Sequence, residues 1–142
     1  MRFLMMHKLD QHDADAWTPK PDLVKQMGAF MEEAVNKGVM LAGEGVLPPQ
    51  RDGALMRFSD GEATVTDGPF AEAKEVIAGF ALLNVEDKAE ALVWAERFGK
   101  IIGGDIEVEV RRVAEFSDFP EDVFGPEERA REQGLRDQLA GA

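Results

Sequence analysis

Four ionisable groups stand within nine residues at Asp67-Gly68-Pro69-Phe70-Ala71-Glu72-Ala73-Lys74-Glu75. A carboxylate beside an ammonium can hold a polar substrate or pass a proton, and partial burial would shift both pKa values. On that chemistry Asp67 or Glu75 is the general base and Lys74 its electrostatic partner. The same residues also have an architectural reading. Asp67 can accept backbone N–H bonds in its own turn, Gly68-Pro69 can set the turn, and Lys74 can pair across the loop. Phe70 either anchors the loop by packing or offers its ring to a ligand.

Three further places carry candidate ligand contacts. Glu44 lies between Gly43 and Gly45, where backbone can approach a ligand closely. His7 closes an apolar stretch and is an acid–base group if it rims a cavity, or a satisfied structural residue if it does not. Glu107, Glu109 and Arg111 alternate on one strand face, with Arg57 available from another strand. That face either lines a polar pocket or discourages edge aggregation. His7, Asp10, His12, Asp13 and Asp15 cluster without matching a metal-binding spacing, so no metal site is assigned. Gly43-Glu44-Gly45 lacks the third glycine and following helix of a dinucleotide fingerprint, and no cofactor is assigned.

The elements that must position these groups fit one core in 142 residues. Strands are predicted over 2–8, 39–47, 54–58, 63–66, 76–85 and 106–113, and helices over 22–37 and 88–98. Leu23, Met27, Phe30 and Ala34 form one helix's buried stripe; Ala91, Leu92, Ala95 and Phe98 form the other's. Asp87 and Glu90 have capping-box spacing, Gly99 is read as that helix's stop, and Gly43 with Gly45 as a bulge. Ile77, Ala81, Leu83 and Val85 are expected on one face of their strand, with Ala78, Phe80 and Leu82 on the other. Two strand–helix–strand units give an α+β, ferredoxin-like antiparallel sheet with both helices on one face. The uncovered face predicts a homodimer through sheet packing. Residues 1–115 form this domain. Residues 116–142 form an acidic tail with a surface helix over 127–139 and phenylalanine anchors at Phe116, Phe119 and Phe124.

The net charge of −12 repels phosphate backbones and anionic lipid. No direct nucleic-acid or membrane partner is expected. The absence of cysteine excludes disulfides and thiol nucleophiles, and it suits a reducing cytoplasm. The apolar N-terminal stretch is too short for a signal peptide or a membrane span.

The segments Ala42-Gly43-Glu44-Gly45-Val46-Leu47-Pro48, Val65 to Glu75, Gly79-Phe80 and Glu107 to Arg111 resemble the YCII-related superfamily, in the branch named for its Asp-Gly-Pro-Phe motif. The resemblance implies a ferredoxin-like fold and a dimeric α+β barrel. It also implies a genomic link to extracytoplasmic-function sigma factors. A His–Asp pair has been proposed for the superfamily, with the His on the first helix, and this chain's first helix has no His. Two functions follow. One is a small-molecule-binding protein with acid–base residues in the Asp67–Glu75 loop. The other is a non-catalytic regulatory module working through protein contacts in a sigma-factor pathway.

Overall fold

The computed structural model describes all residues 1–142, in two compact units, Met1–Arg112 and Val113–Ala142. The first unit runs β1 (Arg2–Asp10), α1 (Pro21–Asn36), β2 (Met40–Gly45), β3 (Ala54–Ser59), β4 (Glu62–Asp67), β5 (Glu75–Asn84), α2 (Lys88–Ile102) and β6 (Glu107–Arg112). Its antiparallel sheet has the order β2-β5-β1-β6, and β3-β4 is a separate hairpin. This is the expected α+β arrangement, two strand–helix–strand units with a hairpin excursion.

Alternation in β1 divides the sheet's faces. Phe3 and Met5 join Ala81, Leu83, Phe30, Ala34, Trp94 and Phe98 in the core between sheet and helices. On the opposite face Leu4 stands across from Leu82 and Arg111, and Met6 across from Phe80 and Glu109. Both sets are apolar, so the period-two signal in β1 is weak while the burial signal is strong.

One register shift changes a predicted face. His7 pairs with Gly79 but Lys8 pairs with Ile77, leaving Ala78 as an extra residue in β5. This bulge turns Ile77 to the face of Lys8, away from Ala81 and Leu83, which corrects the expected grouping. The bulge in β2 falls at Leu41, skipped between Met40 and Ala42, rather than at Gly43 or Gly45.

The helices begin as the sequence dictates. Pro21 opens α1, and the Asp87 side chain accepts from Glu90 N–H at 2.9 Å to cap α2. The return bond differs from the usual box: the Glu90 carboxylate accepts from Glu86 N–H at 2.8 Å. The end of α2 also differs. Gly99 lies inside the helix, and the positive φ of 73° occurs at Gly103. Ile101 and Ile102 extend the buried stripe by a turn and pack on the core, so burial outweighs the glycine's low propensity. A Cβ on Gly99 would meet Val108 Cγ2 at 3.9 Å, ordinary contact. Gly99→Ala is expected to stabilise the protein by about 0.5–1 kcal/mol, read as a higher urea midpoint at constant slope.

An ion pair ties the two helices. Arg97 donates to both Glu33 oxygens at 2.6 and 3.2 Å while its guanidinium lies 4.6 Å from the Trp94 ring centroid. Hydrogen bonds from Arg97 and then from Lys37 hold the Glu33 carboxyl down at about 2.

In the second unit a 3-10 turn, Phe116–Asp118, precedes α3 (Pro126–Ala140). Phe116 and Phe119 each pack edge-on against Phe124, and Arg136 lies 5.0 Å from the Phe116 centroid. The three phenylalanines therefore anchor the tail on itself. Leu135 and Leu139 on α3 are exposed.

Candidate functional site

A row of small residues opens space under the helices. Cα pairing sets Gly45, Gly79, His7 and Val108 side by side on the helix-facing surface, with Gly43 and Ala81 in the next row. The missing side chains leave a cavity of about 1080 Å³ between sheet and helices. Met27, Phe30 and Met31 of α1 wall one side, Phe98, Ile101 and Ile102 of α2 another, and the 11–20 loop with Trp17 borders the mouth. Volume and apolar lining suit a small organic molecule.

His7 is the titratable group on the cavity floor. Its ring sits 5.1 Å from that of Phe98, tilted by 57°. A Cβ on Gly79 would lie 2.8 Å from His7 Cε1, so glycine at that position lets the imidazole lie against the strand. Burial pushes the His7 imidazole below its ordinary 6.5. A neutral imidazole offers one donor and one acceptor to a ligand.

The shift has a consequence for stability. A buried imidazole whose folded pKa is depressed favours folding fully above the unfolded value of 6.5, and this is lost as pH falls through the folded pKa. His7→Asn is expected to flatten the fall in urea midpoint between about pH 7.5 and pH 5.

The nine-residue motif is seated by a residue outside it. Gln11 is 2% exposed. Its amide nitrogen donates to Phe70 O at 2.7 Å and to Ala73 O, and its Oε1 accepts from Phe70 N–H at 2.9 Å. Its backbone N–H reaches Lys74 O at 3.4 Å, and its carbonyl accepts from Gln50 Nε2 at 2.7 Å. The turn closes itself with one bond, Ala73 N–H to Phe70 O at 3.2 Å, and the buried Gln11 amide supplies the partners of Phe70 N–H and Ala73 O. Gln11 also begins the loop that carries Trp17, whose indole N–H donates to Asp10 O at 2.8 Å. The motif loop and the loop bordering the cavity mouth share this fixing point.

The sequence-predicted residues fall in different places. His7, Glu44 and Glu75 border the cavity; Asp67, Lys74, Phe70 and Arg57 do not. Glu44 pairs with Phe80, so its side chain belongs to the face opposite His7. Glu75 opens β5 opposite Asp10. Asp67 ends β4 and is exposed, as is Lys74, and neither side chain has a hydrogen bond or ion pair. Phe70 is half-buried and held through its backbone. Arg57, on the hairpin, lies 3.6 Å from Glu72 with both side chains exposed. Glu107 and Glu109 flank Lys8 at 3.2 and 3.7 Å on the face away from the helices.

Gln11 and the apolar cavity wall were not among the predicted site residues. Gln11 had one usable signal: it continues the alternation Phe3, Met5, His7, Leu9, a polar residue on a buried register.

Residues 1–117 match the YCII-related domain family. An uncharacterised protein of Rhizobium meliloti (strain 1021) is 33% identical over 107 residues, covering 74% of this chain and 86% of that protein. No helix is long and apolar enough to cross a membrane.

Proposed function

The chain belongs to the YCII-related domain family, and from that premise we propose that it is a small-molecule-binding protein whose ligand occupies the cavity over His7. The observation that carries the reading is the half-buried imidazole on a floor otherwise lined by glycine and apolar side chains. The acid–base chemistry on offer is that of neutral His7; Glu75, paired with Asp10, shares the Lys8–Ile77 face on the other side of the sheet. Asp67 and Lys74 are exposed and outside the cavity, which supports assigning them to the loop rather than to the ligand. Within the family we place the chain in the branch named for Asp67-Gly68-Pro69-Phe70, and in the cytoplasm.

Gly45 supplies the test. A Cβ there has only Ala78 O near it, at 3.9 Å, so a larger side chain can grow into the cavity. The neutral dye N-phenyl-1-naphthylamine is expected to bind the wild type with enhanced fluorescence. Gly45→Leu is expected to weaken that binding by at least about tenfold while remaining folded, because the side chain takes the ligand's space. Equal binding by both proteins would place the dye elsewhere and end the reading.

We further propose a homodimer through the open sheet face. Its support is Ile77 and Phe80, exposed on the face away from α1 and α2, with Leu4 and Leu82 partly exposed beside them. Light scattering at a dimer mass is the expected result, and a monomer at micromolar concentration would remove it.

A second reading has one observation in its favour. Met56, Phe58 and Val65 are exposed on one hairpin face, Phe58 at 72%. An apolar stripe of that kind fits a regulatory module working through protein contacts in a sigma-factor pathway. Loss of sigma-factor control in a Phe58→Ser strain, with dye binding intact, is the outcome that would favour it.

A further inference from the structure

His7 has no hydrogen-bond partner in the protein. Its ring contact is with Phe98, and neither imidazole nitrogen bonds to another residue. The Gln11 amide and the Trp17 indole N–H, by contrast, are spent on backbone carbonyls. An unpaired imidazole on a largely apolar floor is unfavourable, and a ligand that pairs with it makes its hydrogen bond away from bulk water. Gly45, in the same row as Gly79 and His7, leaves open space beside the ring. Charges of both signs stand at the exposed border of the cavity: Asp13, Asp15 and Asp22, with Lys20 at the uncapped start of α1. These opposed signs favour neither an anion nor a cation. Met27, Phe30, Met31 and Phe98 wall the interior without charge.

A neutral imidazole presents one N–H donor and one bare nitrogen acceptor. Burial keeps His7 in that form. A carbonyl or ether can only accept, so it serves one of the two nitrogens. A hydroxyl donates and accepts, so it pairs with whichever nitrogen faces the cavity. Thioether and aromatic walls suit a ring behind that hydroxyl. We infer, on the cavity reading above, that the ligand is an uncharged hydroxyl compound with an aromatic body. Its hydroxyl is hydrogen-bonded to His7, and its ring packs against Phe98 and the α1 methionines.

Two probes of matched shape test this: 4-phenylbutanol and pentylbenzene, in which a methyl replaces the hydroxyl. Each displaces N-phenyl-1-naphthylamine from the full chain, and the readout is the ratio of their affinities, which cancels much of their difference in hydrophobicity when proteins are compared. That ratio is expected to favour the alcohol by at least about tenfold more in the wild type than in His7→Leu. Heteronuclear NMR of the wild-type imidazole nitrogens gives a second reading that needs no variant. A His7 nitrogen signal is expected to move with 4-phenylbutanol and to stay in place with pentylbenzene. An equal ratio in both proteins, or equal nitrogen shifts with both probes, would overturn the hydroxyl assignment and leave the cavity reading standing. Failure of both probes to displace the dye from the wild type would overturn both.

Discussion

Gln11→Leu is expected to destabilise the protein by about 3 kcal/mol, which lowers the melting temperature by roughly 10 °C. Leucine fills similar volume but offers no polar atom. It leaves Phe70 N–H and Ala73 O without a partner, while Phe70 O keeps its bond from Ala73 N–H at 3.2 Å. Each buried, unpaired group costs about 1–3 kcal/mol, and some rehydration of the loop offsets the sum. Gln11→Glu is the sharper control. It keeps the size and the acceptor for Phe70 N–H, but sets a carboxylate against two carbonyls. That variant should be destabilised at neutral pH and partly recover on acidification, when the protonated acid can donate once. Thermal unfolding across pH reads both variants. A Gln11→Leu protein as stable as wild type would show that the loop does not depend on this amide.

Gly68→Ala is expected to be at least as damaging, about 3 kcal/mol or more. A Cβ on Gly68 would lie 2.0 Å from Pro49 O and 2.2 Å from Pro49 C, both backbone atoms of a buried residue. Neither can swing aside as a side-chain tip would. Gly68 N–H also donates to Gly53 O at 3.1 Å, and a Cβ on Gly53 would itself fall 2.7 Å from Pro49 O. The end of β4 and the 49–53 turn are therefore pressed together through two glycines. Denaturant unfolding of Gly68→Ala should show a large drop in midpoint. A drop under about 0.5 kcal/mol would mean the segment can relax, and the close approach does not constrain it.

Together these effects give the Asp67–Glu75 motif a physical role. Its glycine permits backbone contact with Pro49, its Phe70–Ala73 turn wraps the Gln11 amide, and its last residue starts β5. The ionisable groups that made the segment attractive as a catalytic loop are exposed at Asp67 and Lys74.

Much of the fold was legible because its signals are local. The helical stripes, the Asp87 cap and the strand alternation in 106–113 each depend on residues a few positions apart, although Leu92, expected in the buried stripe of α2, is 48% exposed and Trp94 is buried in that stripe. What escaped depends on pairing between distant segments. The bulge at Ala78 arises only when β5 is set against β1, so Ile77 was assigned to the wrong face. Gly99 and Gly103 are both plausible helix stops in sequence, and the choice rests on Ile101 and Ile102 reaching the core. The site was legible in fragments. Gly43, Gly45 and His7 stood out singly, but only the sheet register sets Gly45, Gly79 and His7 in one row. Gln11 opens a polar stretch in sequence, and only its place in the β1 alternation marks it as inward-facing.

The central claim, that a ligand sits over His7, is tested most directly by proton NMR of the imidazoles during titration with 4-phenylbutanol. The chain has two histidines, His7 and His12, and His12 lies exposed in the loop. The account predicts a saturable shift of the His7 Cε1 proton while the His12 signal stays fixed. A His7 signal unmoved at saturating probe, or a shift confined to His12, would contradict it.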